Sequence, residues 1–168
     1  MRAVACPQRH ITMFLDPPPP DWARLAAWLA RRYPDVPTID ADALLAWIHD
    51  PTREPPLLLD IRSADEQAIS TLPGAQCVRD AAGARRAVRE SLPRQVVVYC
   101  AVGVRSARLA RSLQRDGLRV LNLAESIFGW ANRGYPLVTH GAPTDRVHPY
   151  DAKWAVLLAA ARRAAVID

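Results

Sequence analysis

The sequence predicts an α/β layer fold built on a mostly parallel sheet, and three observations predict it. Between Val36 and Val138, short apolar runs alternate with segments of helical periodicity, as in repeated βαβ units. One run, Val96-Val97-Val98-Tyr99, is continuously apolar and β-branched, with no alternation between two faces. Such a strand belongs in the middle of a parallel sheet covered on both sides. The chain has 168 residues, half of them hydrophobic, which suffices for one compact domain and is too short for two.

Taken in order, residues 1–35 form a leader, a Pro-rich arm and a helix. Met1 to Gln8 is mixed in character and broken by Pro7, so no secretory segment is expected; Met13 is an alternative start, and Cys6 with His10 is too few ligands for a metal. Pro17–Pro20 reads as a stiff extended arm. Asp21 caps an amphipathic helix with Trp22, Leu25, Trp28 and Leu29 on one face, ended by Tyr33-Pro34.

Residues 36–138 form the main domain. Thr38–Asp40 is a short strand and 41–49 a helix with Leu44, Leu45 and Ile48 inward. Leu57–Ile61 is a buried strand, after which Ser63 caps a helix over 64–70. Pro73-Gly74 turns the chain into a strand at Gln76–Arg79, with Cys77 expected to be buried there. Residues 83–91 are an Arg-rich helix or loop. After Val96–Tyr99 comes a helix over Ser106–Arg115, stopped by Gly117, and a strand at Arg119–Leu123. Residues 139–168 form a C-terminal extension: an irregular tract, Thr139–Tyr150, then a helix over Asp151–Ala165 with Trp154, Leu157, Leu158 and Ala161 as its apolar stripe.

Composition narrows the function. Lys and Arg total 22 against 17 acidic residues, a net charge of +5, but Lys153 is the only lysine and the arginines are scattered. No like-charge block, aromatic interleaving, zinc-finger or RNA-binding signature appears, so nucleic-acid binding is not expected. No apolar run is long enough to span a bilayer, so no membrane partner is expected either. Three cysteines at unrelated spacings make no disulfide framework, which places the protein in a reducing cytoplasm with free thiols.

The chemistry concentrates in Val96-Val-Val-Tyr-Cys-Ala-Val-Gly-Val-Arg-Ser-Ala-Arg108. A buried strand ends at Cys100 and a helix follows within a few residues, so the thiol sits at the carboxyl edge of the sheet, where open α/β sheets bind ligands. If Ala101–Ser106 wraps round the sulfur, its N–H groups form an anion nest reinforced by the helix dipole, and Gly103 supplies the positive φ of a tight wrap. Each effect favours thiolate, so Cys100 is expected to have a lowered pKa and to be nucleophilic without a separate base. The competing reading is an ordinary buried cysteine; the succession of strand, Cys, four residues, Arg and helix weighs against it.

This segment resembles the rhodanese-like (sulfurtransferase) family. The likeness runs from Pro37 to Val138 through Leu57-Leu-Leu-Asp-Ile-Arg62, Asp65-Glu66, Leu72-Pro-Gly-Ala75, Val97-Val-Tyr-Cys100, Gly117-Leu-Arg-Val120 and Gly129-Trp-Ala-Asn-Arg-Gly134. The tail Pro143–Trp154 is similar to an extension in a bacterial subgroup of single-domain members. The resemblance implies a five-stranded, mainly parallel sheet between helices, with a catalytic Cys at the base of a six-residue loop, Cys100–Arg105. It implies ping-pong sulfur transfer: Cys100 takes the outer sulfur of a small anionic donor such as thiosulfate, and a thiophile removes it. The acceptor is cyanide in an assay and a thiol or a protein in the cell, and no cofactor or metal is implied. An alternative is a non-turnover relay module loaded by a protein partner.

Ala101, Val102, Gly103, Val104, Arg105 and Ser106 are thus the expected substrate-binding loop. Cysteine-dependent protein phosphatases place five residues between Cys and Arg; here four intervene, a tighter cradle that suits one sulfur and excludes phosphate. Arg105 has two open readings, binding an anionic donor or bracing the loop through Glu66 or Asp60. Asp60, Arg62 and Glu66 are expected as structural support. Trp130, Asn132 and Tyr135 are read as packing and turn residues, His140 and His148 as surface or interface residues. Ala101 and Val102 are apolar where many thiosulfate-using members carry polar or cationic groups, and Thr71 stands where many carry His; the first weakens attraction for thiosulfate. Cys77 as a resolving thiol is the lesser alternative to simple burial.

Overall fold

The structure is a computed structural model that describes residues 17–165. The expectations for Cys6, His10 and Met13 lie outside the described residues.

Helix α1 (Trp22–Arg32) starts where the Asp21 carboxylate accepts from the Arg24 N–H at 2.8 Å, and it buries Leu25 and Trp28. Strand β1 (Thr38–Ile39) leads into α2 (Ala41–Ile48), capped by Asp40. Strand β2 (Leu57–Asp60) is followed by α3 (Ala64–Ile69), where Ser63 and Glu66 form a reciprocal capping box. Strand β3 (Gln76–Cys77), α4 (Ala81–Ser91), β4 (Val96–Tyr99), α5 (Val104–Arg115), β5 (Leu121–Leu123) and α6 (Ser126–Asn132) complete the main domain.

The five strands form one sheet in the order β1-β5-β4-β2-β3, every neighbouring pair parallel. All strands therefore end on one edge. β4 lies in the middle of the sheet, and Val96, Val97, Val98 and Tyr99 are each fully buried, as an unalternating strand requires when helices flank both faces. The core continues into Leu59, Leu113, Leu123, Ile127 and Phe128.

One buried ion pair braces β2. Arg62 and Asp60 have no side-chain exposure, and Arg62 Nε and Nη2 donate to the two Asp60 oxygens at 3.0 and 2.6 Å. Arg62 also donates to the Ser70 carbonyl, which ties the start of α3 to its end.

The C-terminal extension differs from expectation. Thr139–Tyr150 is not wholly irregular: β6 (Leu137–Thr139) and β7 (Ala142–Thr144) make an antiparallel hairpin. The expected helix over Asp151–Ala165 is only α7 (Ala152–Ala155) plus a 3₁₀ turn at Ala160–Arg162. Its backbone is claimed elsewhere: Asn132 Nδ2 donates to Leu157 O, Asn132 Oδ1 accepts from Ala159 N, and Val147 exchanges bonds with the Arg162–Ala164 backbone. Trp154, Leu157 and Leu158 are buried as expected, whereas Ala161 is exposed. Cys77 is also exposed, not buried, because β3 is a two-residue strand at the edge of the sheet, and both of its residues are exposed.

Candidate active site

Cys100 follows β4 at the carboxyl edge of the sheet and is 1% exposed. The chain turns at once, Gly103 adopts φ +98, and α5 begins at Val104. A Cβ at Gly103 would meet only ordinary contacts at 3.6 Å, so the left-handed backbone rather than space calls for glycine. α5 has no side-chain cap at its N-terminus. The sulfur occupies that role: Gly103 N–H donates to Cys100 Sγ at 3.2 Å and the Ser106 hydroxyl at 3.4 Å.

Burial is the largest single influence on the Cys100 thiol and pushes its pKa up. The Arg105 charge, the Ser106 hydroxyl and N–H, and the Gly103 N–H together outweigh it and hold the thiol below its ordinary value. The thiolate is therefore favoured more than at an ordinary cysteine. In a pH titration of thiolate absorbance, taken as wild type minus Cys100→Ser, the midpoint is expected below the roughly 8.5 of an ordinary cysteine. Arg105→Gln is expected to move that midpoint upward; a wild-type midpoint at or above the ordinary value would contradict the electrostatic reading.

Arg105 braces Glu66. Its two Nη atoms donate to the two Glu66 oxygens at 2.8 and 2.7 Å, a bidentate pair. Glu66 in turn accepts from the Ser63 N–H at 2.9 Å. Burial pushes the Glu66 carboxyl up, but Arg105 and the Ser63 groups outweigh burial and hold it below the usual carboxylate range. The guanidinium face is covered by the Tyr150 ring, 4.5 Å from its centroid. Asp60 and Arg62 pair with each other beneath this layer, and Tyr99 OH, at the end of β4, accepts from the Leu72 N–H at 3.0 Å.

The six loop residues fall into two groups. Gly103 and Ser106 point donors at the sulfur, while Ala101, Val102, Val104 and Arg105 line a chamber of about 120 Å³ over Cys100. Pro17, Tyr150 and Trp154 complete its wall. A larger apolar cleft of about 450 Å³ under α1 meets the loop at Val102, but among the described residues no Cys, His, Lys or Arg lines it. Trp130 Nε1 donates to Pro136 O at 2.8 Å, and Tyr135 OH bonds to Asp42, in line with packing and turn roles. Asn132 does more than expected by holding the extension. His148 is not idle either: its Nδ1 accepts from the Tyr150 N–H at 3.0 Å.

Three sets of residues at the site are not anticipated by sequence. The Ser126 hydroxyl accepts from the Cys100 N–H at 3.1 Å and donates to Leu123 O at 3.2 Å. Asn122 Nδ2 donates to the Gly103 carbonyl at 3.3 Å. Pro17, Tyr150 and Trp154 come from the two ends of the chain. Ser126 and Asn122 had a usable signal, since β5 neighbours β4 and its end must lie beside Cys100; the third set had none. Among the described residues, no cluster of three or more His, Cys, Asp or Glu could hold a metal ion, and no helix is long and apolar enough to cross a membrane.

A strand-ending cysteine, a short loop closed by an arginine and a five-stranded parallel sheet define one class of domain. The Rhodanese-like domain family matches residues 40–133, more than half of the chain, and the protein belongs to that family. A protein named Sulfurtransferase from Allochromatium vinosum is 36% identical over 104 residues, 61% of this chain and 95% of that one. The fold is similar to the crystal structure of a rhodanese-like domain protein from Staphylococcus aureus, with TM-score 0.53 and 22% identity over 62% of this chain and 98% of that one. It is also similar to thiosulfate sulfurtransferase from Pseudomonas aeruginosa, with TM-score 0.54 and 23% identity over 64% of this chain and 20% of that one.

Proposed function

We propose that the protein is a sulfurtransferase that carries a sulfane sulfur on Cys100, taking it from a donor such as thiosulfate or a persulfide and passing it to a thiophilic acceptor. The observation that carries this reading is Cys100 Sγ at the head of α5, within hydrogen-bond reach of Gly103 N–H and Ser106 OH. Membership of the rhodanese-like family and the sulfurtransferase relative support the activity in its broad form.

In the forward half-reaction the Cys100 thiolate attacks the outer sulfur of the donor. A bond forms between Sγ and that sulfur, the donor's S–S bond breaks, and the electron pair leaves on the remainder, sulfite in the case of thiosulfate. The persulfide left on Cys100 is anionic, and the donors that held the thiolate are already oriented for it. An acceptor nucleophile then attacks the terminal sulfur and restores the Cys100 thiolate. Ala101–Ser106 is the binding loop in this reading, Glu66 fixes Arg105, and the buried Asp60–Arg62 pair supports the edge from which the loop springs. Residues 36–138 are the sulfur-transfer unit, and the extension, residues 139–168, lends Tyr150 and Trp154 to its mouth. Cys77 and Cys100 are both free, which suits a reducing compartment such as the cytoplasm.

The near-complete burial of Cys100 favours one second reading, a relay module that exchanges sulfur only with a protein partner. Steady-state assays with thiosulfate and cyanide separate the two. The enzyme reading expects Cys100-dependent turnover with parallel double-reciprocal lines, the mark of a covalent intermediate formed before the acceptor binds. Intersecting lines, or turnover independent of Cys100, would contradict it; a stable Cys100 persulfide without turnover would support the relay.

A further inference from the structure

We propose that Tyr150 is the specificity-determining residue of this site, selecting a slender sulfane donor with at most one negative charge, an alkyl hydropersulfide, over dianionic thiosulfate. The proposal rests on the sulfur-transfer reading of Cys100. It starts from what surrounds the entering molecule. The chamber over Cys100 is about 120 Å³, and its wall is apolar except for Arg105: Pro17, Ala101, Val102, Val104, Tyr150 and Trp154 make the rest. Thiosulfate is small, so size does not exclude it. Charge does.

Among the described residues Arg105 is the one cation in the wall, and its charge is committed. Both Nη atoms are engaged by Glu66 at 2.8 and 2.7 Å, and its exposed face carries the Tyr150 ring at 4.5 Å. The Gly103 N–H and the Ser106 OH are aimed at Sγ and serve one sulfur. A dianion entering this chamber sheds its water and finds no uncommitted cation among the described residues, and its leaving group, sulfite, keeps both charges inside the apolar wall. An alkyl hydropersulfide brings an apolar group that packs on Tyr150 and Trp154, and its leaving group carries at most a single charge.

The position of Tyr150 is imposed, not incidental. Its backbone is left-handed, with φ +67, a costly conformation for a ring-bearing residue. The His148 Nδ1 accepts its N–H at 3.0 Å and the Arg105 face takes its ring, so the conformation is over-determined from both sides. Tyr150 is also 41% exposed, so it can be replaced without opening the core.

With this donor the Cys100 thiolate attacks the outer sulfur of R–S–SH. The Sγ–S bond forms as the donor's S–S bond breaks, the electron pair departs with the R–S sulfur, and the proton of the transferred sulfur passes to that leaving group, so the products are R–SH and the anionic persulfide on Cys100. One S–S bond replaces another, so no external oxidant or reductant is needed.

The test measures the rate at which one sulfur is added to Cys100, by intact mass of the full chain, using thiosulfate and ethyl hydropersulfide released in solution from a protected precursor. Because the two donors differ in intrinsic reactivity, the readout is the ratio of their rates across variants. Tyr150→Lys, which places an uncommitted cation at the mouth, is expected to shift the ratio toward thiosulfate by about tenfold or more, and Tyr150→Ala in the same direction by less. Tyr150→Phe, which keeps the ring on Arg105, is expected to preserve the wild-type ratio. A ratio that is the same in Tyr150→Ala and Tyr150→Lys as in wild type would overturn the role of Tyr150 while leaving sulfur transfer intact. Addition of sulfur from neither donor to wild-type Cys100 would instead overturn the sulfur-transfer reading and this proposal with it.

Discussion

Cys100→Ser is expected to lower sulfur transfer by a factor on the order of 10³ or more, to the level of the reaction without protein. Serine keeps the size and the hydrogen-bonding partners of the side chain, so the loop has no reason to refold. What changes is the nucleophile. A hydroxyl beside Gly103 N–H and Ser106 OH remains protonated near neutrality, whereas the Cys100 thiol lies below its ordinary value under the same donors and the Arg105 charge. Oxygen also forms no stable counterpart of the persulfide. Unchanged thermal stability with transfer lost is the expected pattern; transfer retained in Cys100→Ser would move the chemistry to another residue, Cys77 first, since it is exposed.

The second large effect is on stability. Asp60→Asn is expected to destabilise the fold by about 3–5 kcal/mol, because it leaves the Arg62 charge buried and uncompensated. Both side chains are at 0% exposure, and Arg62 reaches the Asp60 oxygens through Nε and Nη2. Asparagine preserves volume and one acceptor, so the loss reports charge rather than a cavity. Urea unfolding measures it, with an unchanged m-value showing that the folded state is still compact. The double replacement Asp60→Leu with Arg62→Met, which removes both charges, is expected to recover most of the loss. A cost under about 1 kcal/mol for Asp60→Asn would show that Arg62 finds water or another acceptor when its partner is neutral.

What the sequence made legible follows from range. The centre of the sheet was readable because Val96–Tyr99 states its environment locally: no polar position occurs, so neither face meets water. Asp21 and Ser63 announced two helix starts, and each accepts a bond from the third residue after it, as Asp40, read as a strand end, also does. The start of α5 was placed at Ser106, two residues late. There the capping acceptor is a sulfur from the preceding loop, and no capping rule on side-chain oxygens detects it. The C-terminal helix failed for the opposite reason. Its Ala-rich stretch has helical propensity, but Asn132 and Val147 take its backbone groups, and tertiary bonds outweigh a preference of a few tenths of a kcal/mol per residue.

The candidate site divides along the same line. Cys100, Gly103, Arg105 and Ser106 lie within seven consecutive residues, and the turn from strand to helix brings them together by local geometry alone. Glu66 or Asp60 was expected as the brace for Arg105, and Glu66 makes the bidentate pair. Ser126 and Asn122 required the strand order, which places β5 beside β4. Tyr150 and Trp154 required the path of a segment some fifty residues downstream, which no periodicity encodes. The apolar Ala101 and Val102 hinted at weak attraction for thiosulfate, and the role proposed for Tyr150 would add to the same tendency.

The central claim, a thiolate at Cys100 that accepts sulfur, is tested most directly by the intact mass of the full chain after incubation with a sulfane donor, followed by mapping of the modified peptide. The account predicts one added sulfur, on Cys100, released when a thiol acceptor is supplied and missing in Cys100→Ser. Sulfur found on Cys77, or an unmodified Cys100 after exposure to both thiosulfate and a low-molecular-weight persulfide, would contradict it.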